Sequence, residues 1–172
     1  MKRLFYMFPA FLIIGMGWAF YLKLHHKPYD SNLTQIGQRL PDVTFAGVGG
    51  TQTLNFSKGV GRPCLVNIYA SWSPASKLEL PVLLQLAKEH GLLIYGLNFQ
   101  EEMSRIQADL RHSPYKAVGR IEEGRAAVML GMTDVPESFL LGANGEIRYH
   151  FKGPLRPADI REIILPILEE TV

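Results

Sequence analysis

The sequence predicts an α/β fold: a mixed β-sheet with helices on both faces, preceded by one apolar N-terminal helix. Three observations carry that expectation. Residues 63–70 (PCLVNIYA) and 92–99 (LLIYGLNF) are short, nearly unbroken apolar runs, as strands covered on both faces would be. Each is followed by a segment of helical periodicity, so a helical crossover joins parallel strands. Residues 137–141 and 146–151 flank Ala143-Asn144-Gly145, a hairpin signature that adds antiparallel edge strands.

Taken from the N-terminus, Leu4 to Leu22 contains no charged residue. It approaches the ~20 residues that span a hydrocarbon core of roughly 30 Å, with Tyr6, Trp18 and Tyr21 toward its ends, where amphipathic rings favour the interface. The run ends WAFYLKLHH, a poor cleavage site, so an uncleaved anchor over 1–24 is expected rather than a removed secretory signal. Residues 25–35 are polar and turn-rich and read as a tether. Residues 36–172 then form one compact unit, large enough to bury its own core. Within it 74–90 is a helix, with Leu78, Val82, Leu83 and Leu86 on one side and Gly91 as its stop. Residues 101–112 are an amphipathic helix through Met103, Ile106 and Leu110. Residues 113–118 are a short extended piece and 122–132 a short helix, with Glu101-Glu102 and Glu122-Glu123 at helix starts where the dipole favours them. A last helix runs over 157–170, opened by Pro157 and kinked or frayed by Pro166.

Composition narrows the chemistry. A net charge of +2 over 172 residues provides no basic field for nucleic acid. Cys64 is the single cysteine, which excludes an intrachain disulfide and a multi-cysteine metal site. No histidine has ligand spacing, so no metal and no cofactor is expected. Cys64 sits in an apolar strand and reads as a small buried hydrophobe. AGVGG (46–50) lacks the following helix of a dinucleotide site and reads as a loop.

The informative stretch is SWSPASKLELP, residues 71–81. Trp72 and Pro74 frame Ser73 and Ser76 at the start of the first helix, the placement of a redox C-x-x-C with oxygen in place of sulfur. Read alone, Ser73 is a helix N-cap. No G-x-S-x-G elbow and no S-x-x-K pair surrounds it, so a hydrolytic nucleophile is not indicated.

NIYASWSPASKLELPVL, with Asn67 where ordinary thioredoxins carry an acid, resembles the strand, active site and helix of membrane-anchored thioredoxin-like proteins. TDVPESFLLGANGEIRYHFKGPL (133–155) resembles their cis-proline strand and hairpin. The chain is identified as a member of the thiol–disulfide oxidoreductases of cytochrome c maturation, the DsbE or CcmG family, related to TlpA and ResA. The resemblance covers 36–172. It implies a thioredoxin-like fold, a single-pass inner-membrane anchor with the domain in the periplasm, and apocytochrome c or other maturation proteins as partners. It also implies that Ser73 and Ser76 hold the positions of the two catalytic cysteines, that the Val135-Pro136 bond is cis and faces them, and that Trp72, Pro74, Val135 and Pro136 form a substrate groove. An acidic residue that tunes the family's active site has no evident counterpart here, and Asp134 stands where close relatives often carry glycine.

A hydroxyl neither ionises usefully near neutral pH nor forms S–S bonds, so attack and resolution both fail as the chain is written. The residues leave two accounts open. The serines are either replacements that trap a redox-dead form or natural residues of a module that holds a partner through the cis-proline groove.

Overall fold

A computed structural model of the chain describes Trp18 and residues 36–50, 52–102, 104–106, 113–122 and 124–170. The chain divides into two compact units, Met1–Leu33 and Thr34–Val172, and the second holds every element below. The expected anchor (1–24) and tether (25–35) lie outside the described residues, apart from Trp18, which is helical and exposed. Among the described residues no helix is long and apolar enough to cross a membrane.

Six strands form one sheet: β1 (Ala46–Gly47), β2 (Cys64–Tyr69), β3 (Leu93–Phe99), β4 (Ala117–Ile121), β5 (Glu137–Leu141) and β6 (Ile147–Lys152). Their order is β1-β4-β3-β2-β5-β6. β2, β3 and β4 are parallel, because α1 (Pro74–Glu89) carries the chain back from the end of β2 to the start of β3. β6 pairs antiparallel with β5, as the hairpin turn requires, and β5 pairs antiparallel with β2, so β6 is an edge strand as expected while β5, bonded on both sides, is not. The sheet is the mixed, thioredoxin-like one the sequence predicts.

All six residues of β2 are buried, which explains a continuous apolar run in place of alternation. One face of the sheet, through Leu65, Ile94 and Leu140, packs on Val82, Leu83 and Leu86 of α1 and on Ile160 and Ile164 of the last helix. The other face, through Val66, Ile68, Phe139 and Leu141, is covered differently from expectation. Leu40, Phe45 and Phe56 of the chain before β2 bury there, and α2 (Gly124–Met129) supplies the only helix on that side among the described residues. Side chains of that size each contribute about 1.5–3 kcal/mol when fully buried, whatever backbone carries them.

Other elements shift for identifiable reasons. The extended piece expected at 113–118 becomes β4 at Ala117–Ile121, since Pro114 has no N–H for the ladder and pairing starts only with Lys116 N–H on the Ile94 carbonyl, 2.7 Å. Of the helix expected over 101–112, residues 104–106 are helical, 101 and 102 are not, and the rest lies outside the described residues. AGVGG is only partly loop: Ala46 and Gly47 pair with β4 as an edge strand. The last helix starts at Pro157 as expected but passes Pro166 without breaking. Its segments are Pro157–Asp159, a π-helical Ile160–Ile164 and Leu165–Glu169, with Leu165 N–H reaching the Ile160 carbonyl. The wider turn precedes the residue that cannot donate to the helical ladder.

Candidate functional site

After β2 the chain turns through Ala70, with Ser73 N–H on the Ala70 carbonyl at 3.1 Å, and enters α1. Ser73 is the N-cap, in extended conformation, and Pro74 fills the first helical position with its preset φ. Ser73 Oγ accepts from Ser76 N–H (3.3 Å) and donates to the Val135 carbonyl (3.2 Å). Ser76 Oγ accepts from Ala70 N–H at 3.4 Å. Both serines are nearly closed to solvent, at 4% and 8% exposure. The Val135-Pro136 bond is cis. Ser73 and the cis-proline turn, 62 residues apart in sequence, are therefore in direct contact.

Trp72 is 55% exposed. The depression beside it is lined by Gln100, Glu101 and Arg105 of the chain after β3, while Ser73 faces the Val135 turn. Gln100 adopts φ 53°, a left-handed turn uncommon for a non-glycine residue. The turn brings Glu101 back under the loop before α1, where its carboxylate accepts from Ser71 N–H (3.0 Å), Ser71 Oγ and Asn98 Nδ2. Burial pushes the Glu101 carboxyl upward, but these donors win and hold it below the usual carboxylate value. Glu101 is thus a tie for residue 71 and not the helix-start charge that sequence reading predicts.

Beneath the serines lies a buried polar cluster that sequence reading missed. Glu79 is 0% exposed, one turn after Ser76 on the inner side of α1. Leu78, expected on that side, is 74% exposed instead. Glu79 Oε1 accepts from Asn67 Nδ2 (2.8 Å) and Oε2 from Leu155 N–H (3.3 Å). Asn67 Nδ2 also reaches Ser138 Oγ at 2.9 Å, and Tyr115 OH donates to Asn67 Oδ1 at 2.7 Å. Tyr115 stacks on Tyr69, ring centroids 4.8 Å apart, across Gly96, where a Cβ would lie 2.9 Å from the Tyr69 ring. Burial drives the Glu79 carboxyl up to about 7, and its two neutral donors offset only part of that cost. The available signal was Glu79 at i+3 from Ser76 and in step with Val82, Leu83 and Leu86. Nothing local marked Tyr115.

A second carboxylate, Glu137, sits under the cis-proline turn. Its Oε1 accepts from Thr133 N–H (2.8 Å), Thr133 Oγ1 (2.6 Å) and Asp134 N–H (3.1 Å). Its Oε2 lies 2.9 Å from His150 Nε2, and the His150 ring stacks on Phe139 at 4.1 Å. Burial opposes the charge, yet His150 and three further donors hold this carboxyl below its usual value. His150 is committed to Glu137 and Ser73 to main-chain groups, an arrangement unlike a serine hydrolase, whose nucleophile bonds its base. Cys64, in register between Leu93 and Leu141, is fully buried, and burial pushes its thiol up to about 12.

No family model matches the chain. Among individual proteins, the thiol:disulfide interchange protein DsbE of Pseudomonas fluorescens biotype C is 33% identical over 155 residues, covering 89% of this chain and 86% of that one. The thiol:disulfide interchange protein CycY of Rhizobium leguminosarum bv. viciae is 35% identical over 114 residues, 65% of this chain and 61% of its own. A solved thiol:disulfide interchange protein DsbE from Chlorobium tepidum superposes with a TM-score of 0.66 at 23% identity, covering 80% of this chain and 98% of that one. A thio-disulfide isomerase from Thermus thermophilus gives 0.64 at 21% identity, covering 79% and 96%. The solved structures establish likeness of fold.

Proposed function

The chain belongs to the DsbE family of thiol:disulfide interchange proteins, and from that premise we propose that it serves periplasmic cytochrome c maturation as a module that holds an extended peptide without exchanging electrons with it. The peptide is a segment of apocytochrome c around its haem-binding cysteines, or of another maturation protein. It lies along Val135 at the cis-proline turn, with Ser73, Trp72 and Pro74 at its flank. Residues 1–24 tether the module to the inner membrane. One observation carries the reading: Ser73 Oγ stands 3.2 Å from the Val135 carbonyl, so the cleft is assembled while its sulfur pair is oxygen.

The chemistry supports the negative half of the proposal. Serine hydroxyls do not form the mixed disulfide, and Cys64 cannot stand in, because its thiol is buried and held protonated. The groove needs no sulfur, since main-chain pairing to an extended peptide and side-chain contacts around it require none. A pull-down with a peptide carrying the haem-attachment motif tests it: the chain as written should retain the peptide, and Val135→Trp should release it. Equal retention by both removes the reading.

The intact frame also favours a second, ancestral activity. Ser73 caps α1, where a thiolate would be stabilised by orphan N–H groups, and Glu79, titrating near 7, lies below as a proton carrier. With Ser73→Cys and Ser76→Cys together, a thiolate at 73 attacks the substrate disulfide and releases one substrate thiol. The thiol at 76 then resolves the mixed disulfide, freeing the second and leaving the protein oxidised. The double variant, pre-reduced with dithiothreitol, should reduce an oxidised haem-motif peptide, and the chain as written should not. An inert double variant excludes the ancestral activity.

A further inference from the structure

Main-chain docking at Val135 requires its N–H to donate and its carbonyl to accept. Both are already engaged within the chain. Val135 N–H donates to Asp134 Oδ1 at 2.7 Å, and the Val135 carbonyl accepts from Ser73 Oγ at 3.2 Å. The edge is capped by two side chains.

The two caps differ in freedom. Ser73 is buried and also accepts from Ser76 N–H, so it is part of the helix start. Asp134 is exposed. Its own N–H is pinned with Thr133 to Glu137 Oε1, itself tied to His150, so the loop backbone stays in place while the Asp134 side chain turns. A carboxylate leaving Val135 enters water directly.

We propose that Asp134 is a specificity-determining residue of this groove: its carboxylate competes with incoming peptide for the Val135 N–H, and a peptide docks only by displacing it. The exchange is like for like at that N–H, one acceptor replacing another. Net affinity must then come from contacts beyond Val135, which disfavours peptides that offer main-chain pairing alone. The proposal rests on the peptide-holding reading above.

The test titrates the 172-residue chain, its Asp134→Ala variant and its Asp134→Asn variant with a fluorescent peptide carrying the haem-attachment motif, its cysteines replaced by serine. Exchange of the Val135 amide is followed in parallel. Removing the internal competitor should tighten binding roughly tenfold, the scale of one charge-assisted hydrogen bond. Asp134→Asn keeps an uncharged acceptor and should fall between. Val135 exchange should accelerate in free Asp134→Ala and slow again on saturation with peptide. Acceleration without a gain in affinity overturns the cap and leaves docking standing, and weaker binding by Asp134→Ala recasts the residue as a peptide contact, which also overturns it. If no form binds and peptide leaves Val135 exchange unchanged, the holding function itself fails and the cap goes with it.

Discussion

Glu79 and Glu137 are both fully buried, one under the serines and one under the cis-proline turn. They sit on opposite faces of the sheet: Ser138, which shares Asn67 with Glu79, is the strand neighbour of Glu137, and successive strand residues point opposite ways. Their ionisation diverges all the same. Glu79 meets two neutral donors, Asn67 Nδ2 and Leu155 N–H, and burial carries it to about 7. Glu137 meets two N–H groups, a hydroxyl and an imidazole, and stays below its usual value. Depth of burial does not set the charge state of a buried carboxylate. The number and charge of the donors that reach it do.

That contrast is open to tests of decreasing size. Glu137→Ala strips acceptors from the Thr133–Asp134 loop and from His150, and should cost about 3–5 kcal/mol in denaturant unfolding, as the loss of one partner of a buried pair does. A loss under 1 kcal/mol, on the order of an exposed ion pair, would mean the loop is held by something else.

Glu79→Gln should act with the opposite sign. The folded value of Glu79 lies above the ordinary glutamate value of 4.5, so the folded state keeps the extra proton between about 4.5 and 7. Stability therefore falls as pH rises through that window and stays lowered above it. The neutral amide removes that loss, so the variant should be more stable by about 2 kcal/mol at pH 8 and nearly unchanged at pH 4.5. The figure sits below the full linkage value, because the amide must turn an N–H toward Leu155 N–H or Asn67. Glu137 has a lowered folded value, and its contribution is present above 4.5 and lost as pH falls below it. Unfolding curves that rise steadily from pH 5 to 8 would contradict the assignment for Glu79.

Tyr115→Phe removes the donor to Asn67 Oδ1 and should cost about 1–2 kcal/mol. It should also loosen Asn67 from Glu79, whose carboxyl then rises further, seen as a steeper fall of stability as pH climbs from 5 to 7. Smallest of all, Trp72→Ala should change stability by less than about 0.5 kcal/mol, because the indole is largely exposed. Retention of the haem-motif peptide should fall if Trp72 flanks the groove, so calorimetry and pull-down separate its two roles.

Much of the fold was readable because its signals are local. Period-2 and period-3.6 patterning, the hairpin turn, Pro157 and Gly91 each act through a few neighbouring residues. The serine pair was likewise visible, since N-cap, Pro74 and Ser76 lie within one helical turn. What failed involved partners distant in sequence. The strand order was not readable: that β5 joins the sheet beside β2 and β1 beside β4 is set by pairing between distant segments. Leu78 leaves its expected side and Glu79 turns inward, because a carboxylate buries only where Asn67 and Leu155 N–H converge on it, 12 and 76 residues away. Glu101 reads as a helix-start charge until the turn at Gln100 carries it to Ser71. The second face is covered by extended chain, because apolar side chains at Leu40, Phe45 and Phe56 bury equally well without a helix.

By itself the sequence determined the alternation of strands and helices and the presence of serine in place of a sulfur pair at 73 and 76. These are properties of residue type and short-range spacing. Only the tertiary structure decided which carboxylates lie inside, which of them hold a proton near neutrality, and that Asp134 and Ser73 occupy the edge where a peptide would pair. Those outcomes depend on donors and acceptors meeting across long stretches of chain, and no local pattern encodes the distance between them.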